Sequence, residues 1–80
     1  MTVPTQETDV PVKLTYRQIA DDITQRIRSG EYPPGTRLPS YTALAELYSV
    51  SPSTAARAYG LLSDRGTVEG SPGRGMFVPE

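Results

Sequence analysis

The chain has no cysteine, no histidine and no tryptophan, and only one phenylalanine. Without cysteine there is no disulfide and no thiolate metal site. Without histidine the commonest metal ligand and the commonest acid–base group near neutral pH are gone as well. Long apolar runs are also missing: no stretch approaches the roughly 18 residues of a membrane helix. The opening residues MTVPTQETDVPV carry neither the basic nor the apolar block of an export signal. The expectation is a soluble cytoplasmic protein without cofactor or metal, held together by packing alone. At 80 residues it makes one small domain. Such a domain buries only about 60% of its unfolded surface, which leaves little room for an internal substrate cavity.

A surplus of positive charge is lacking too, since the net charge is −1. The distribution matters more than the total. Glu7, Asp9 and Glu80 lie at the two ends, and between residues 13 and 78 eight bases face six acids. The body is therefore mildly basic, and any affinity for phosphate must come from where a few cations sit.

What the sequence does have is punctuation. Residues 1–12, with Pro4 and Pro11 and no periodicity, read as a disordered leader, and the domain is expected over residues 13–80. Thr15 and Gln18 match a capping box, with Leu14 and Ile19 spaced for a hydrophobic staple. Behind them Tyr16, Ile19, Ala20, Ile23 and Ile27 repeat at helical spacing until Gly30, which predicts a first helix over 16–29. Pro33, Pro34, Gly35 and Pro39 then force a turn. Ser40 is an N-cap for a short second helix with an apolar face of Leu44, Ala45, Leu47 and Tyr48. After Ser49 and Val50, Ser51 caps a third helix that begins at Pro52, where the missing proline N–H costs nothing, and ends at Gly66. Beyond it the period changes. Residues 67–69 and 76–78 are β-favouring runs around the loop GSPGRG, a hairpin pattern.

A short helix, a link of about three residues and a second helix form a helix-turn-helix, whose second helix enters the DNA major groove with its N-terminal residues toward the bases. The groove is about 12 Å wide and a helix with side chains about 10 to 12 Å across, so the face turned to the bases must be low. Ser53, Ala56 and Gly60 supply such a face, with Arg57 reaching further, while Ala55, Ala58, Tyr59 and Leu62 turn inward. Arginine can pair with guanine O6 and N7, so Arg57 is the expected base reader. Ser40, Ser51, Ser53 and Thr54 stand at helix starts, where hydroxyls and free N–H groups favour phosphate. In the hairpin loop, Gly73 and Gly75 flank Arg74, which is placed to probe a minor groove.

The competing readings are structural. Ser40 and Ser51 are N-caps whether or not DNA is bound. Tyr16 and Tyr59 coincide with apolar stripes and read as core or core-edge packing. Arg17, Arg26 and Arg28 read as a solvated face of the first helix. Asp21, Asp22 and Glu46 have no nucleophile, histidine or nucleotide loop beside them, so an enzyme is not expected.

From Tyr16 to Val78 the chain resembles the DNA-binding domain of GntR-family bacterial transcription regulators. The landmarks are I-x-x-G-x-x-P-P-G-x-x-L-P-S (27–40), L-A-x-x-Y-x-V-S-P-x-T (44–54), A-Y-x-x-L (58–62) and G-R-G-x-F-V (73–78). Residues 50–59 are most similar to the YtrA-like branch. The resemblance implies an α+β winged helix-turn-helix of three helices plus a two-stranded β-hairpin wing. It also implies sequence-specific binding of double-stranded operator DNA, generally as a homodimer and usually for repression. Carried over by position, the DNA contacts are Ser40, Tyr41, Thr42, Ser51, Ser53, Thr54, Arg57, Gly73, Arg74 and Gly75. The chain departs from the family where many members have S-E-R, here Ser40-Tyr41-Thr42, and where they carry arginine in place of Pro52 and Ala56. Members also continue into a C-terminal effector or dimerisation segment, so no effector ligand is assigned to these 80 residues. Two alternatives stay open: a small excisionase-like architectural or recombination factor, and a winged helix used as a protein-interaction module.

Overall fold

Capping chemistry sets where each helix starts. The computed structural model describes residues 14–71 and 75–80. The expected leader over 1–12, and Gly73 and Arg74 at the wing tip, lie outside the described residues. Helix α1 is Tyr16–Arg28, and its capping box is complete: the Gln18 N–H donates to the Thr15 hydroxyl, and the Thr15 N–H donates to the Gln18 side-chain carbonyl at 2.8 Å. Gly30 follows at φ 88°, a conformation that terminates the helix and that glycine adopts without strain. Helix α2 is Tyr41–Tyr48 and helix α3 is Pro52–Asp64, each N-capped by a serine, with Pro52 in the first turn of α3. Strands β1 (Glu69–Ser71) and β2 (Gly75–Phe77) pair antiparallel in the register Glu69↔Phe77, Gly70↔Met76 and Ser71↔Gly75.

The hairpin is shifted relative to the sequence pattern. Thr67 and Val68 precede the first strand, while Gly70, Ser71 and Gly75, expected in the loop, belong to the ladder. Val68 instead fills the interior, fully buried. Side-chain preference marks this valine as β-favouring but does not say whether it serves a ladder or a core. The other edge of β2 is also occupied. The Leu38 N–H donates to the Met76 carbonyl at 2.8 Å, the Val78 N–H to the Thr36 carbonyl at 2.9 Å, and Arg37 bridges Phe77 antiparallel. The proline-flanked linker between α1 and α2 thus pairs with β2 through one isolated antiparallel bridge and ties the wing to the helices.

The interior is wholly apolar among the described residues. Ile19, Ala20 and Ile23 of α1, Leu44 and Ala45 of α2, and Ala55, Ala58, Tyr59 and Leu62 of α3 meet Leu38, Val68 and Val78 from the sheet side. Helix α3 packs against both other helices, and its alanines let them come close. Leu47 departs from expectation: it is 66% exposed and does not join the face of α2. An eight-residue helix has one narrow contact stripe, and Leu44, Ala45 and the half-buried Tyr48 use it.

Candidate nucleic-acid interface

Ser49, Val50 and Ser51 link α2 to α3. Ser49 sits in the left-handed region (φ 55°, ψ 45°) and sends its N–H back to Glu46, while the Val50 N–H reaches the Ala45 carbonyl at 3.0 Å. The turn is closed by backbone bonds, and Val50 packs on the core. Both serine caps are built alike. The Ser40 hydroxyl accepts from the Ala43 N–H and lies 3.1 Å from the Thr42 hydroxyl. The Ser51 hydroxyl accepts from the Thr54 N–H and lies 3.1 Å from the Ser53 hydroxyl and 3.0 Å from that of Thr54. Capping accounts for both serines, and it also gathers hydroxyls at the starts of the two helices that the turn joins. Tyr41, beside the first, is 51% exposed.

Helix α3 divides as the sequence pattern predicts. Ala55, Ala58, Tyr59 and Leu62 are buried, while Ser53, Ala56, Arg57 and Gly60 are exposed. A Cβ added at Gly60 would meet nothing within 4 Å. The outward surface is therefore low and uncovered over two turns.

Two tyrosine hydroxyls hold this arrangement in place. Tyr59 on α3 donates to the Pro39 carbonyl at 2.6 Å, fixing the segment that leads into α2. Its burial raises its pKa. Tyr48 on α2 donates to the Asp22 carboxylate on α1. Burial, and then the Asp22 charge, push the Tyr48 pKa up to about 12. The same bond, with Arg26 beside it, holds Asp22 below its ordinary value. Arg26 in turn spans Asp22 (3.0 Å) and Glu31 (2.6 Å), and Arg65 approaches Asp21 (3.3 Å). These pairs are largely solvated and each is worth at most about 1 kcal/mol. Among the described residues no acid lies within ion-pairing distance of Arg17, Arg28, Arg37 or Arg57.

Arg57 is exposed, but its guanidinium carbon stands 4.4 Å from the centroid of the Tyr16 ring, over α1. This cation–π contact links positions 41 residues apart, and neither the stripe of α1 nor that of α3 reveals it. Tyr16 is therefore more than core-edge packing, although it also touches the buried cluster. The sequence pattern also missed Arg37. A Cβ on Gly75, which has φ 101°, would lie 3.5 Å from the Arg37 Nε, so this cation sits beside the base of the wing. The signal available was an arginine directly before Leu-Pro-Ser, but its meaning depends on the pairing with β2. Gly75 is exposed. No cluster of metal-ligating side chains occurs among the described residues, and no helix there is long and apolar enough to cross a membrane.

Three helices with a hairpin beyond the third, and a free α3 face beside a three-residue turn, define a winged helix-turn-helix. Residues 15–78 match the family described as bacterial regulatory proteins, gntR family, and the chain belongs to it. It is 40% identical over 68 residues to the mannosyl-D-glycerate transport/metabolism system repressor MngR of Escherichia coli, covering 85% of this chain and 28% of that protein. Among solved structures it resembles YtrA from Sulfolobus acidocaldarius, a GntR-family transcription factor, with a TM-score of 0.77 and 37% identity, over 90% of this chain and 62% of that one. It also resembles the AraR DNA-binding domain solved in complex with operator ORR3, with a TM-score of 0.74 and 30% identity, over 79% of this chain and 76% of that one. The chain spans 13% of the length of one curated relative that it matches and 56% of another.

Proposed function

We propose that this domain binds double-stranded operator DNA sequence-specifically and regulates transcription in the cytoplasm, with residues 51–65 in the major groove and the wing, residues 71–75, at the minor groove. The carrying observation is the low, uncovered surface of α3 around Ser53, Ala56 and Gly60, backed by a fully apolar inward face. Such a strip leaves the room that a helix entering the major groove requires on the side turned to the bases. Ser40, Tyr41 and Thr42, and Ser51, Ser53 and Thr54, offer hydroxyls to phosphates at the rims of the groove, Arg57 adds a cation, and Gly73, Arg74 and Gly75 form the wing contact. The AraR complex supports duplex DNA as the partner of this fold, and MngR supports repression as the direction of control. A homodimer on a palindromic site is what the family resemblance implies, the two-fold axis of the protein pair matching that of the site.

Selection of bound duplexes from a random-sequence pool tests this reading. Half-sites repeated as an inverted pair, one helical turn or about 34 to 36 Å between centres, are expected. A pool that returns no enriched sequence, or affinity that does not fall steeply with salt, would overturn it.

A further inference from the structure

The cation–π contact changes what Arg57 can do. A side chain reaching a base edge must project along the direction in which α3 faces the groove, and this one is laid sideways onto Tyr16 at the start of α1. Arg17 follows Tyr16 in the chain. Its guanidinium, and less strongly that of Arg57, favours negative charge at the Tyr16 hydroxyl and lowers its pKa. Two guanidiniums that pair with no acid among the described residues therefore bear on one half-buried tyrosine, Arg57 lying over its ring and the neighbouring Arg17 favouring charge at its hydroxyl. With α3 in the major groove as proposed, an electropositive spot at its flank would face the sugar-phosphate backbone that borders the groove.

Given the DNA-binding reading above, we propose that the Tyr16 hydroxyl and the guanidiniums of Arg17 and Arg57 form a contact for a backbone phosphodiester at the α1 side of the major groove, with the Tyr16 ring holding Arg57 to the backbone instead of a guanine. Tyr16 and Arg17 thereby join the interface as members that the helix-turn-helix pattern does not include. Arg57 becomes a source of affinity, and discrimination among bases falls to the Ser53–Ala56–Gly60 surface and to the shape of the duplex.

The test uses the full chain, the duplex recovered by selection, an unrelated duplex of equal length, and the variants Arg17→Gln, Arg57→Gln, Tyr16→Leu and Tyr16→Phe. Affinities are measured from about 50 to about 200 mM salt. Each arginine variant is expected to weaken both duplexes by a similar factor, about three- to tenfold, and to reduce the slope of log K against log salt by about 0.9. Tyr16→Leu, which removes the ring, should reproduce most of the Arg57→Gln loss, and combining the two should add little. Tyr16→Phe keeps the ring and should lose only the hydroxyl's share, with thermal melting confirming that each variant is folded. The proposal is overturned if Arg57→Gln abolishes preference at one base pair while the unrelated duplex binds as before, because Arg57 would then be a base reader. It is equally overturned if Arg17→Gln and Tyr16→Leu leave both affinities unchanged. A wild-type chain that binds no duplex in a salt-dependent way would sink the DNA-binding reading itself and this contact with it. Wild-type binding with silent variants sinks only the contact.

Discussion

The two faces of α3 are made from nearly the same small residues and serve opposite ends. Inward, Ala55 and Ala58 allow α1 and α2 to close on the helix, and Tyr59 and Leu62 fill what remains. Outward, Ser53, Ala56 and Gly60 leave the surface low, and among the described residues nothing outside the helix's own backbone reaches within 4 Å of a Cβ placed at Gly60. Small side chains on a helix therefore do not identify a binding surface by themselves. What separates the faces is whether another element of the chain has already moved into the room they leave.

The largest expected effect tests the inward face. Leu62→Ala removes a fully buried side chain and should cost about 2 to 5 kcal/mol in urea unfolding; a cost below about 1 kcal/mol would mean that the interior collapses around it, and the contrast between the faces would weaken. Next comes the outward face. Ala56→Glu places a carboxylate where phosphate is expected and should weaken duplex binding by more than about tenfold, while unfolding stability shifts by no more than about 0.5 kcal/mol. Loss of stability in step with binding would show that this face also serves the fold. A smaller effect is expected at the joint between the faces. Tyr59→Phe deletes the bond to the Pro39 carbonyl and should cost about 0.5 to 1.5 kcal/mol by unfolding.

The smallest effects come from pH. Asp22 has its pKa depressed in the folded state by the Tyr48 hydroxyl and Arg26. Its contribution is therefore present above the ordinary value of 3.8 and is lost as pH falls below it toward the depressed folded value. Tyr48 has its pKa raised from 10.0 to about 12, so its contribution is complete below pH 10.0 and is lost as pH rises toward 12. Urea titrations should show Asp22→Asn flattening the acid limb and Tyr48→Phe flattening the alkaline limb. A double variant that keeps both wild-type slopes would remove the α1–α2 tie from the account.

Local chemistry was readable in the residues. The capping box at Thr15, the serines before α2 and α3, Pro52 in a first turn and the glycines at 30 and 66 each act within a few positions of themselves, so the helix boundaries and the division of α3 follow from short windows. Features that depend on distant chain segments were not. Residues 36–38 bond to β2 only because β2 arrives beside them, and Val68 joins the core instead of the ladder because the helices close over it. Leu47 looks like a core residue in α2 until the single stripe used by α1 and α3 is known. Among the site residues, the exposed hydroxyls and the small-residue face stood where the pattern put them, but the companionship of Arg57 with Tyr16, and of Arg37 with Gly75, is a property of the assembled fold.

Gly60 is the least helix-favouring residue in the interior of α3, and alanine would fit there without touching anything. A library of variants sorted only for resistance to heat should therefore enrich Gly60→Ala, while the same library sorted for operator occupancy should keep the glycine. The two sorts would diverge at a position where the folded protein, taken alone, contains no reason for them to differ.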